Sequence, residues 1–178
     1  MLRGINVSGQ KKIEMAGLRS LYEELSFEQV TTYIQSGNVI FKTANNANEG
    51  KLVETIEQAI HAKYGFEVPV TLRNLPEINE LTSNNPFLTR MGIDPEKLHV
   101  TFLSNNPQQS SVKNIETAAF LPDEFILSGK EIFLYCPGGY GNTKLNNNFF
   151  ERKLKVNATT RNWKTVKTLR DLAIKLLE

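Results

Sequence analysis

Hydrophobic residues follow strand-like and helix-like periods along the chain, and one short pattern occurs twice. Residues 34–41 and residues 126–133 share the pattern Ile-x-Ser-Gly-x-x-Ile-Phe without a gap. Each copy has β-branched and aromatic residues on both sides of the Ser-Gly pair. This predicts a β-hairpin, because glycine supplies the positive φ of a tight turn. One hairpin in each half of the chain indicates a duplicated α/β unit.

The first half of the chain follows the order β-α-β-β-α-β. Apolar residues recur every three or four positions in the predicted helices and alternate with polar residues in the predicted strands. The predicted elements are a strand at 2–7, a helix at 15–25, a hairpin at 30–43, a helix at 52–64 that ends at Gly65, and a strand at 66–73. This order is that of the ferredoxin-like, or split-βαβ, unit.

The second half repeats this order after an irregular, partly helical connector. The predicted elements are a strand at 98–103, a helix at 110–119, a hairpin at 124–135, a helix at 144–154, a strand at 156–160, and a final helix at 163–177 with Asn162 or Thr160 as its N-cap. We therefore predict an α+β fold, a tandem duplication of ferredoxin-like subdomains plus a C-terminal helix. The predicted domains are 1–73 and 98–162, with 74–97 as connector and 163–178 as the C-terminal helix.

Composition is typical of a soluble globular protein, with 40% hydrophobic and 22% charged residues. The single cysteine, Cys136, excludes an intrachain disulfide, favours a reducing, cytoplasmic compartment, and is expected to be a small apolar residue at a strand end. His61 and His99 have no companions at metal-binding spacing, so no metal site is predicted. No apolar run reaches the ~20 residues that span a bilayer, so we expect no membrane partner and no signal peptide.

Charge is unevenly distributed, although the net charge is only +2. Residues 144–178 contain nine Lys or Arg and three Asp or Glu, a net charge of +6, and residues 1–143 contain twelve and sixteen, a net charge of −4. A basic C-terminal end can contact phosphates or an acidic partner. The alternative is an ordinary solvent-exposed helix face.

Four segments of the chain are similar to the hallmark segments of one bacterial family. They are Leu2-Arg-Gly-Ile-Asn-Val7, Tyr33-Ile-Gln-Ser-Gly-Asn38, Asn85-Pro-Phe87 and Thr160-Arg-Asn-Trp-Lys-Thr-Val166. With these motifs in the right order, the chain resembles from end to end the family catalogued as domain of unknown function 1697. The resemblance implies a tandem pair of ferredoxin-like subdomains. It implies no established activity, and the cofactor is unknown.

The chain departs from the family pattern in two places. Family members usually have a few more residues that complete the first strand, so we expect a short first strand where Met1 almost directly precedes the motif. The glycine-rich loop of the family commonly reads Gly-Arg-Ser-Lys-Leu, whereas this chain has Gly141-Asn-Thr-Lys-Leu145. One positive charge is therefore absent, which weakens any role that needs the arginine.

Arg3 and Arg73 are candidate ligand-binding residues in the first half. In a ferredoxin-like unit the first and last strands are adjacent, and strand alternation turns Arg3, Thr71 and Arg73 to the open face of the sheet. Gln35 would share this face from the hairpin. Adjacent guanidinium groups repel one another unless an anion or carboxylates pair with them. An anion or phosphate site and a set of salt-bridged structural arginines are therefore equal alternatives.

The loop 137–144, which reads Pro-Gly-Gly-Tyr-Gly-Asn-Thr-Lys, is a second candidate. Its proposed ligand-binding residues are Gly138, Gly139, Gly141, Thr143 and Lys144. Glycines free the backbone to turn several N–H groups toward one point, and Thr143 is expected to cap the following helix. Lys144 would lie near the positive end of that helix, where a bound anion would favour it. The Walker spacing is absent, and the alternative is a flexible loop.

Arg161, at the start of the last helix, is the third candidate. We expect Arg3, Arg73 and the loop 138–144 to border one concave site at the junction of the two halves, with Gln35 and Arg161 nearby. Ligands usually bind at such junctions.

Three functions remain open at this point. The leading hypothesis is an intracellular binder of a small anionic or nucleotide-like ligand. The absence of Ser-His-Asp, Cys-His and paired-acid patterns disfavours a hydrolase. The first alternative is a nucleic-acid-binding protein that uses the basic C-terminal end, although residues 38–42 lack the spaced aromatics of an RNA-recognition strand. The second is a protein-interaction module with no ligand site, because the second hairpin is apolar on both faces.

Overall fold

The computed structural model describes residues 1–44, 47–113 and 115–177. Within these ranges the protein has a mixed α/β fold with two antiparallel sheets and six α-helices. It divides into two compact units. Unit 1 comprises Met1–Leu75 and the residues from Leu169 onward, and unit 2 comprises Pro76–Thr168. None of the helices in the described ranges has the length and apolar character needed to cross a membrane.

The N-terminal segment of unit 1 contains two helices and the first predicted hairpin, and the C-terminal part of the last helix, from Leu169 onward, also belongs to this unit. In chain order these elements are α1 (Met15–Glu24), β1 (Glu28–Tyr33), β2 (Asn38–Lys42) and α2 (Glu49–Tyr64). The side chain of Asn48 caps α2 by accepting a hydrogen bond from the Lys51 amide at 3.0 Å. The helix ends at Gly65, whose φ of 77° is left-handed. This confirms the predicted end, because glycine adopts that conformation without a Cβ penalty.

The predicted first and last strands of this half are reduced to a short antiparallel contact. Leu2 forms an isolated bridge with Val70, and the Arg3 amide donates to the Pro69 carbonyl at 2.9 Å. The two segments are thus adjacent. Neither is a full strand, and on the N-terminal side the extended run ends at Gly4, which has a φ of 70°.

The core of unit 1 combines the N-terminal segment, both helices and the hairpin. Its buried members are Leu2, Ile5, Ile13, Leu18, Leu21, Tyr22, Phe27, Val30, Ile56, Ile60, Val68 and Val70. Thr71, which alternation assigns to an open face, is only 3% exposed. Its backbone N–H and C=O both pair with Met1, which is itself buried, so this part of the strand is not on an open face.

Unit 2 contains a four-stranded antiparallel sheet. The elements from the unit boundary onward are α3 (Leu75–Ser83), 3₁₀ turns at Pro86–Thr89 and Pro95–Lys97, β3 (Leu98–Leu103), α4 (Gln109–Lys113), a 3₁₀ turn at Thr117–Phe120, β4 (Glu124–Ser128), β5 (Glu131–Tyr135), a 3₁₀ turn at Tyr140–Asn142, α5 (Asn147–Leu154), β6 (Ala158–Asn162) and α6 (Trp163–Lys175). The strand order is β4-β5-β3-β6.

Several predicted elements of the second half are confirmed. The strand at 98–103 and the hairpin at 124–135 have the predicted limits. Asn162 caps α6 by accepting the Thr165 amide at 2.7 Å. The predicted helix at 110–119 is instead α4 followed by a 3₁₀ turn, since hydrogen bonds between residues three apart tighten the chain there.

Helix α5 begins three residues later than predicted. Asn146, not Thr143, is its N-cap, because the Asn146 side chain accepts the Phe149 amide at 3.0 Å. The Thr143 hydroxyl accepts the Leu145 amide at 3.1 Å instead, and Thr143 is buried. The prediction that Thr143 caps this helix is therefore wrong.

Both faces of the sheet in unit 2 are covered. The cluster on the side of α5 consists of Leu103, Ile115, Ile132, Leu134, Cys136, Leu145, Phe150, Leu154 and Ala158. On the opposite face, Val100 and Phe102 are fully buried and Phe133 is 3% exposed. The apolar pattern on both alternations of the second hairpin corresponds to this burial.

Candidate functional site

Two of the hallmark segments lie side by side in unit 1. The Leu2 amide donates to the Gly37 carbonyl at 2.8 Å, and the Asn6 side chain donates to the Gln35 carbonyl at 2.9 Å. We call this region the Asn6 site, which consists of residues 4–12 and the turn 34–37. It brings together two segments that are about thirty residues apart in the sequence.

The Asn6 side chain holds the site together. Its Nδ2 donates to the carbonyls of Ile13 and Gln35, both at 2.9 Å, and its Oδ1 accepts the Ile13 amide at 2.9 Å. Both N–H donors of the side chain are therefore used, and the oxygen is bonded as well. The Asn6 amide also donates to the Lys11 carbonyl at 3.2 Å, which closes the loop from the inside.

The backbone of the Asn6 site is strained. Four residues other than glycine have a positive φ, namely Asn6 at 55°, Ser8 at 50°, Lys11 at 46° and Ile34 at 51°. Asparagine tolerates this conformation, but for a β-branched residue such as Ile34 it is an outlier. Ile34 is 48% exposed, so burial in the core does not account for the strain. Strained residues of this kind cluster at ligand clamps and switch regions.

The same loop contains backbone donors and basic side chains. In the described part of the chain, the N–H groups of Ser8 and Gly9 have no protein acceptor, whereas Val7 is bridged to Gln10. Lys11 Nζ donates to the Glu67 carbonyl at 2.6 Å, and Lys12 is exposed. Ser8 and Gly9 both have positive φ in the two-residue turn between the bridged residues Val7 and Gln10. Successive backbone N–H groups in a turn can form a concavity that binds an anion. This loop is not among the sequence-predicted site residues, although its segment Ser8-Gly-Gln-Lys-Lys12 was the available signal.

The sequence-predicted residues of unit 1 are only partly assembled. Gln35 is exposed and lies within the Asn6 site, and Arg3 is half-buried just before it. Arg3 lies opposite Pro69, so Arg73 is four residues, about 13 Å in an extended chain, beyond the position that faces Arg3. The Arg73 guanidinium donates to the carbonyl of Leu72 at 2.6 Å. Arg3 and Arg73 are therefore not cross-strand neighbours, because the register offsets them.

The glycine-rich loop of unit 2 is a closed turn. The amides of Gly139, Asn142 and Thr143 donate to backbone carbonyls at 2.9, 3.1 and 3.4 Å, and the Asn142 side chain donates to the Gly138 carbonyl at 2.9 Å. These N–H groups are not available to a ligand. Only Gly139, with a φ of 90°, needs to be glycine for conformational reasons. Gly141 and Lys144 are exposed.

Arg161 is held within unit 2. It is 8% exposed, and its Nη1 donates to Thr159 Oγ1 at 2.8 Å and to the Thr160 carbonyl at 2.9 Å. Arg161 and the loop 138–144 belong to unit 2, whereas Arg3, Gln35 and Arg73 belong to unit 1. One site shared by all of them stays a prediction.

A hydroxyl network anchors the glycine-rich loop to β6 and α5. The Tyr140 hydroxyl donates to Thr160 Oγ1 at 3.0 Å, and Thr160 donates to Asn147 Oδ1 at 2.7 Å. Thr101 and Thr160 share a further hydrogen bond at 2.7 Å. These bonds satisfy the donor and both acceptor positions of the Thr160 hydroxyl. The loop is thus fixed by its neighbours, which the sequence did not indicate.

Burial favours the neutral form of two titratable groups near this network, His99 and Cys136. The His99 ring stacks on Tyr140 with centroids 4.9 Å apart, and burial lowers the pKa of His99 from its ordinary value. Cys136 is buried directly after β5, and burial is the main cause that raises the pKa of its thiol to about 11. Both results agree with a structural role for these residues. No group of three metal-ligating side chains occurs among the residues that the structure describes.

Comparison with known proteins identifies the family and the fold. A family model described as "Protein of unknown function (DUF1697)" matches residues 1–133, which include both segments of the Asn6 site. The chain is similar to the solved structure of the conserved bacterial protein SP0830 from Streptococcus pneumoniae, with a TM-score of 0.69, 24% identity, and coverage of 97% of this chain and 96% of that chain. A comparison with curated proteins gives no match. The chain belongs to the DUF1697 family of proteins of unknown function.

Proposed function

We propose that the protein binds a small anionic, nucleotide-like ligand at the Asn6 site. The observation that carries this proposal is the set of hydrogen bonds made by the Asn6 side chain. The Asn6 side chain joins two distant segments and holds the loop in a conformation that leaves the amides of Ser8 and Gly9 without a protein acceptor among the described residues. Left-handed backbone costs about 1–2 kcal/mol per residue outside glycine, and a ligand that accepts hydrogen bonds from these amides offsets that cost.

A phosphate group suits these donors best. Phosphate oxygens accept several N–H bonds at once, and hydrogen bonds to an ionised acceptor are stronger than those between neutral groups. Lys12 is exposed and follows Gly9 by three residues, so it adds a positive charge to the same loop. Gln35, exposed in the adjoining turn, can both donate to and accept from the neutral part of a ligand.

A thermal-shift screen tests this proposal. The panel contains inorganic phosphate, nucleoside mono-, di- and triphosphates, and sugar phosphates, since a ligand that binds only the folded state raises Tm by mass action. We expect Lys12→Ala to reduce the shift without changing the Tm of the free protein, because Lys12 is exposed. Lys51→Ala is the matched control, because Lys51 is an exposed lysine on α2. Equal ligand shifts in both variants would contradict the site.

Binding of DNA and RNA at low and high salt separates the two alternative functions. If the protein binds nucleic acid and the affinity falls steeply with salt, many phosphate contacts are involved, and the basic C-terminal end becomes the candidate site. If neither small anions nor nucleic acids bind at low salt, the protein-interaction module becomes the preferred function.

We also propose that the two units descend from one duplicated ferredoxin-like unit, with subdomains at 1–73 and 98–162, the connector 74–97 and the helix 163–178. In unit 2 the sheet order β6-β3-β5-β4 has the 4-1-3-2 arrangement of that fold, which supports the proposal. In unit 1 the order α1-β1-β2-α2 and the adjacent end segments support it. We also propose that the protein is bacterial and cytoplasmic. The single, buried Cys136 supports the cytoplasmic location, because free thiols are typical of a reducing compartment.

A further inference from the structure

Strand β4 is an edge strand whose outward backbone groups can be assigned. The Leu103 amide donates to the Lys130 carbonyl at 2.8 Å, so the even-numbered residues of β5 bond to β3. The odd-numbered residues of β5 therefore bond to their partners on β4, which are Glu124, Ile126 and Ser128. Because bonding direction alternates along an antiparallel strand, the N–H and C=O groups of Phe125 and Leu127 point away from the sheet. They have no partner among the described residues.

This edge has few of the features that usually prevent strand pairing. Natural edges are protected by charged side chains, above all lysine, by proline or by a bulge. The only charged residue of β4 is Glu124, and the strand contains no lysine or proline and pairs with β5 in an unbroken register. Ile126, at its centre, is 39% exposed. The opposite edge, β6, differs, because the Glu151 carboxylate accepts its outward Ala158 amide at 3.1 Å.

We propose that β4 pairs antiparallel with β4 of a second copy of the chain, across a twofold axis that passes through Ile126. Phe125 then lies opposite Leu127 of the second copy, and the two symmetric pairs exchange backbone hydrogen bonds. Ile126 faces Ile126 of the second copy in a pair without hydrogen bonds, where side chains are closest. The two sheets become one continuous eight-stranded sheet.

Neighbouring registers are disfavoured because each would need a backbone group that is already hydrogen-bonded or that lies in the turn. An axis at Phe125 would need the Asp123 amide, which donates to the Phe120 carbonyl at 2.9 Å. An axis at Leu127 would need Gly129 in the ladder, but Gly129 lies in the turn with a φ of 60°.

Charges also fit the register at Ile126. Glu124 meets Ser128 of the second copy, so no carboxylates are opposed. The Glu124 carboxylate is already paired with the Arg90 guanidinium through two bonds of 2.9 and 3.0 Å. A like-charge contact at this position would have disfavoured the pair.

Exposed apolar residues occur on β4 and just before it in the chain. In the described residues of unit 2 the exposed large hydrophobic side chains are Leu88, Met91, Leu121 and Ile126. Ile126 lies at the centre of β4, and Leu121 precedes the strand by three residues. An exposed apolar side chain on an unpaired edge favours an interaction surface.

Cysteine cross-linking tests the register directly. Opposed residues in a pair without hydrogen bonds have Cα atoms about 4.5 Å apart, which is within disulfide range. We expect Ile126→Cys to form a covalent dimer under mild oxidation, as seen on a non-reducing gel. Ile174→Cys is the matched control, since Ile174 is also 39% exposed but lies on α6. Native Cys136 is buried and should not cross-link. Equal cross-linking of both variants would overturn the proposal.

Sedimentation equilibrium tests the association without a covalent bond. We expect a concentration-dependent dimer whose dissociation constant rises at least about tenfold in Ile126→Lys, because two lysines then oppose each other at the axis. Ile174→Lys should leave the dimer unchanged, and circular dichroism should show that both variants are folded. A wild-type protein that stays monomeric, or a dimer that Ile126→Lys does not weaken, would overturn the proposal.

Discussion

The two Ser-Gly hairpins share a sequence pattern but differ in their turns. Between β1 and β2 the turn has four residues, Ile34–Gly37, whereas between β4 and β5 it has two, Gly129 and Lys130. The glycine of the pattern is the last residue of the first turn and the first residue of the second. The φ of Gly129 is 60° and that of Lys130 is not positive, as a type II′ turn requires.

The surroundings of the two glycines explain the difference. A Cβ atom on Gly37 would lie 2.7 Å from Ile5 Cδ1 and 2.8 Å from Leu2 Cβ, because the turn packs on the N-terminal segment. At Gly129 the nearest atoms would be 3.9 Å away. Gly37 therefore allows a close approach of two segments, whereas Gly129 serves only the backbone conformation. One pattern thus serves two physical purposes.

Gly37→Ala should have the largest effect on this comparison. The new methyl group clashes with the core and also sits at a φ of 75°. Left-handed strain and overpacking together predict a loss of about 2–4 kcal/mol in the free energy of unfolding. Urea denaturation measures this value. A loss no larger than that of Gly129→Ala would contradict the distinction between the two turns.

Asn38→Ala should have the next largest effect. Asn38 is fully buried, and its side chain donates to the Tyr33 carbonyl and to Ser36 Oγ, both at 3.0 Å. Removing this buried amide takes a donor away from two partly buried acceptors, which predicts a loss of about 1–3 kcal/mol. Lys130 occupies the equivalent position in the second hairpin and forms a partly exposed ion pair with Glu77 at 3.1 Å. Lys130→Ala should therefore cost less than about 1 kcal/mol in the same urea titration.

Gly129→Ala should cost about 1 kcal/mol, because the substitution adds left-handed strain without a steric clash. Gly129→Asn should recover most of that loss, since asparagine tolerates positive φ. Thermal and urea unfolding of the two variants check the order. If Asn is no better than Ala at this position, the conformation of the turn is not the cause.

Ile34→Asn should have the smallest effect and the opposite sign. It removes a β-branched side chain from a φ of 51° at a position that is 48% exposed, so little packing is lost. We expect the variant to be more stable by about 0.5–1 kcal/mol. Val7→Asn is the control, because Val7 is 59% exposed and its φ is not positive. A gain in both variants would show that removal of exposed apolar surface, not relief of strain, is responsible.

Features with a local signal could be predicted from the sequence. The end of α2 at Gly65, the cap of α6 at Asn162 and the limits of β3 each depend on residues within one turn or one strand. The cap of α5 shows the limit of this approach. Thr143 and Asn146 are both good cap residues, and the burial of Thr143 decided between them.

The candidate site was predicted only in part, since its assembly is not local. Arg3 and Gln35 lie in or beside the Asn6 site, whereas the offset of Arg73 depends on a register that no pattern in the sequence specifies. The glycine-rich loop has the composition of an anion-binding loop, but the amides of Gly139, Asn142 and Thr143 donate to backbone carbonyls. The loop at residues 7–12 has a weaker compositional signal, yet its Ser8 and Gly9 amides have no protein acceptor among the described residues.

By itself the sequence determined where the helices, the hairpins and their turns occur, because periodicity, caps and glycine act over a few residues. Only the tertiary structure decided what those elements do. It brought Gly37 into close contact with the N-terminal segment, joined two segments through the Asn6 side chain, and left β4 at the edge of its sheet. Each of these results depends on atoms from distant segments. Local preferences act on the unfolded and folded chain alike, whereas register, burial and the pairing of backbone donors with acceptors exist only once the segments have packed together.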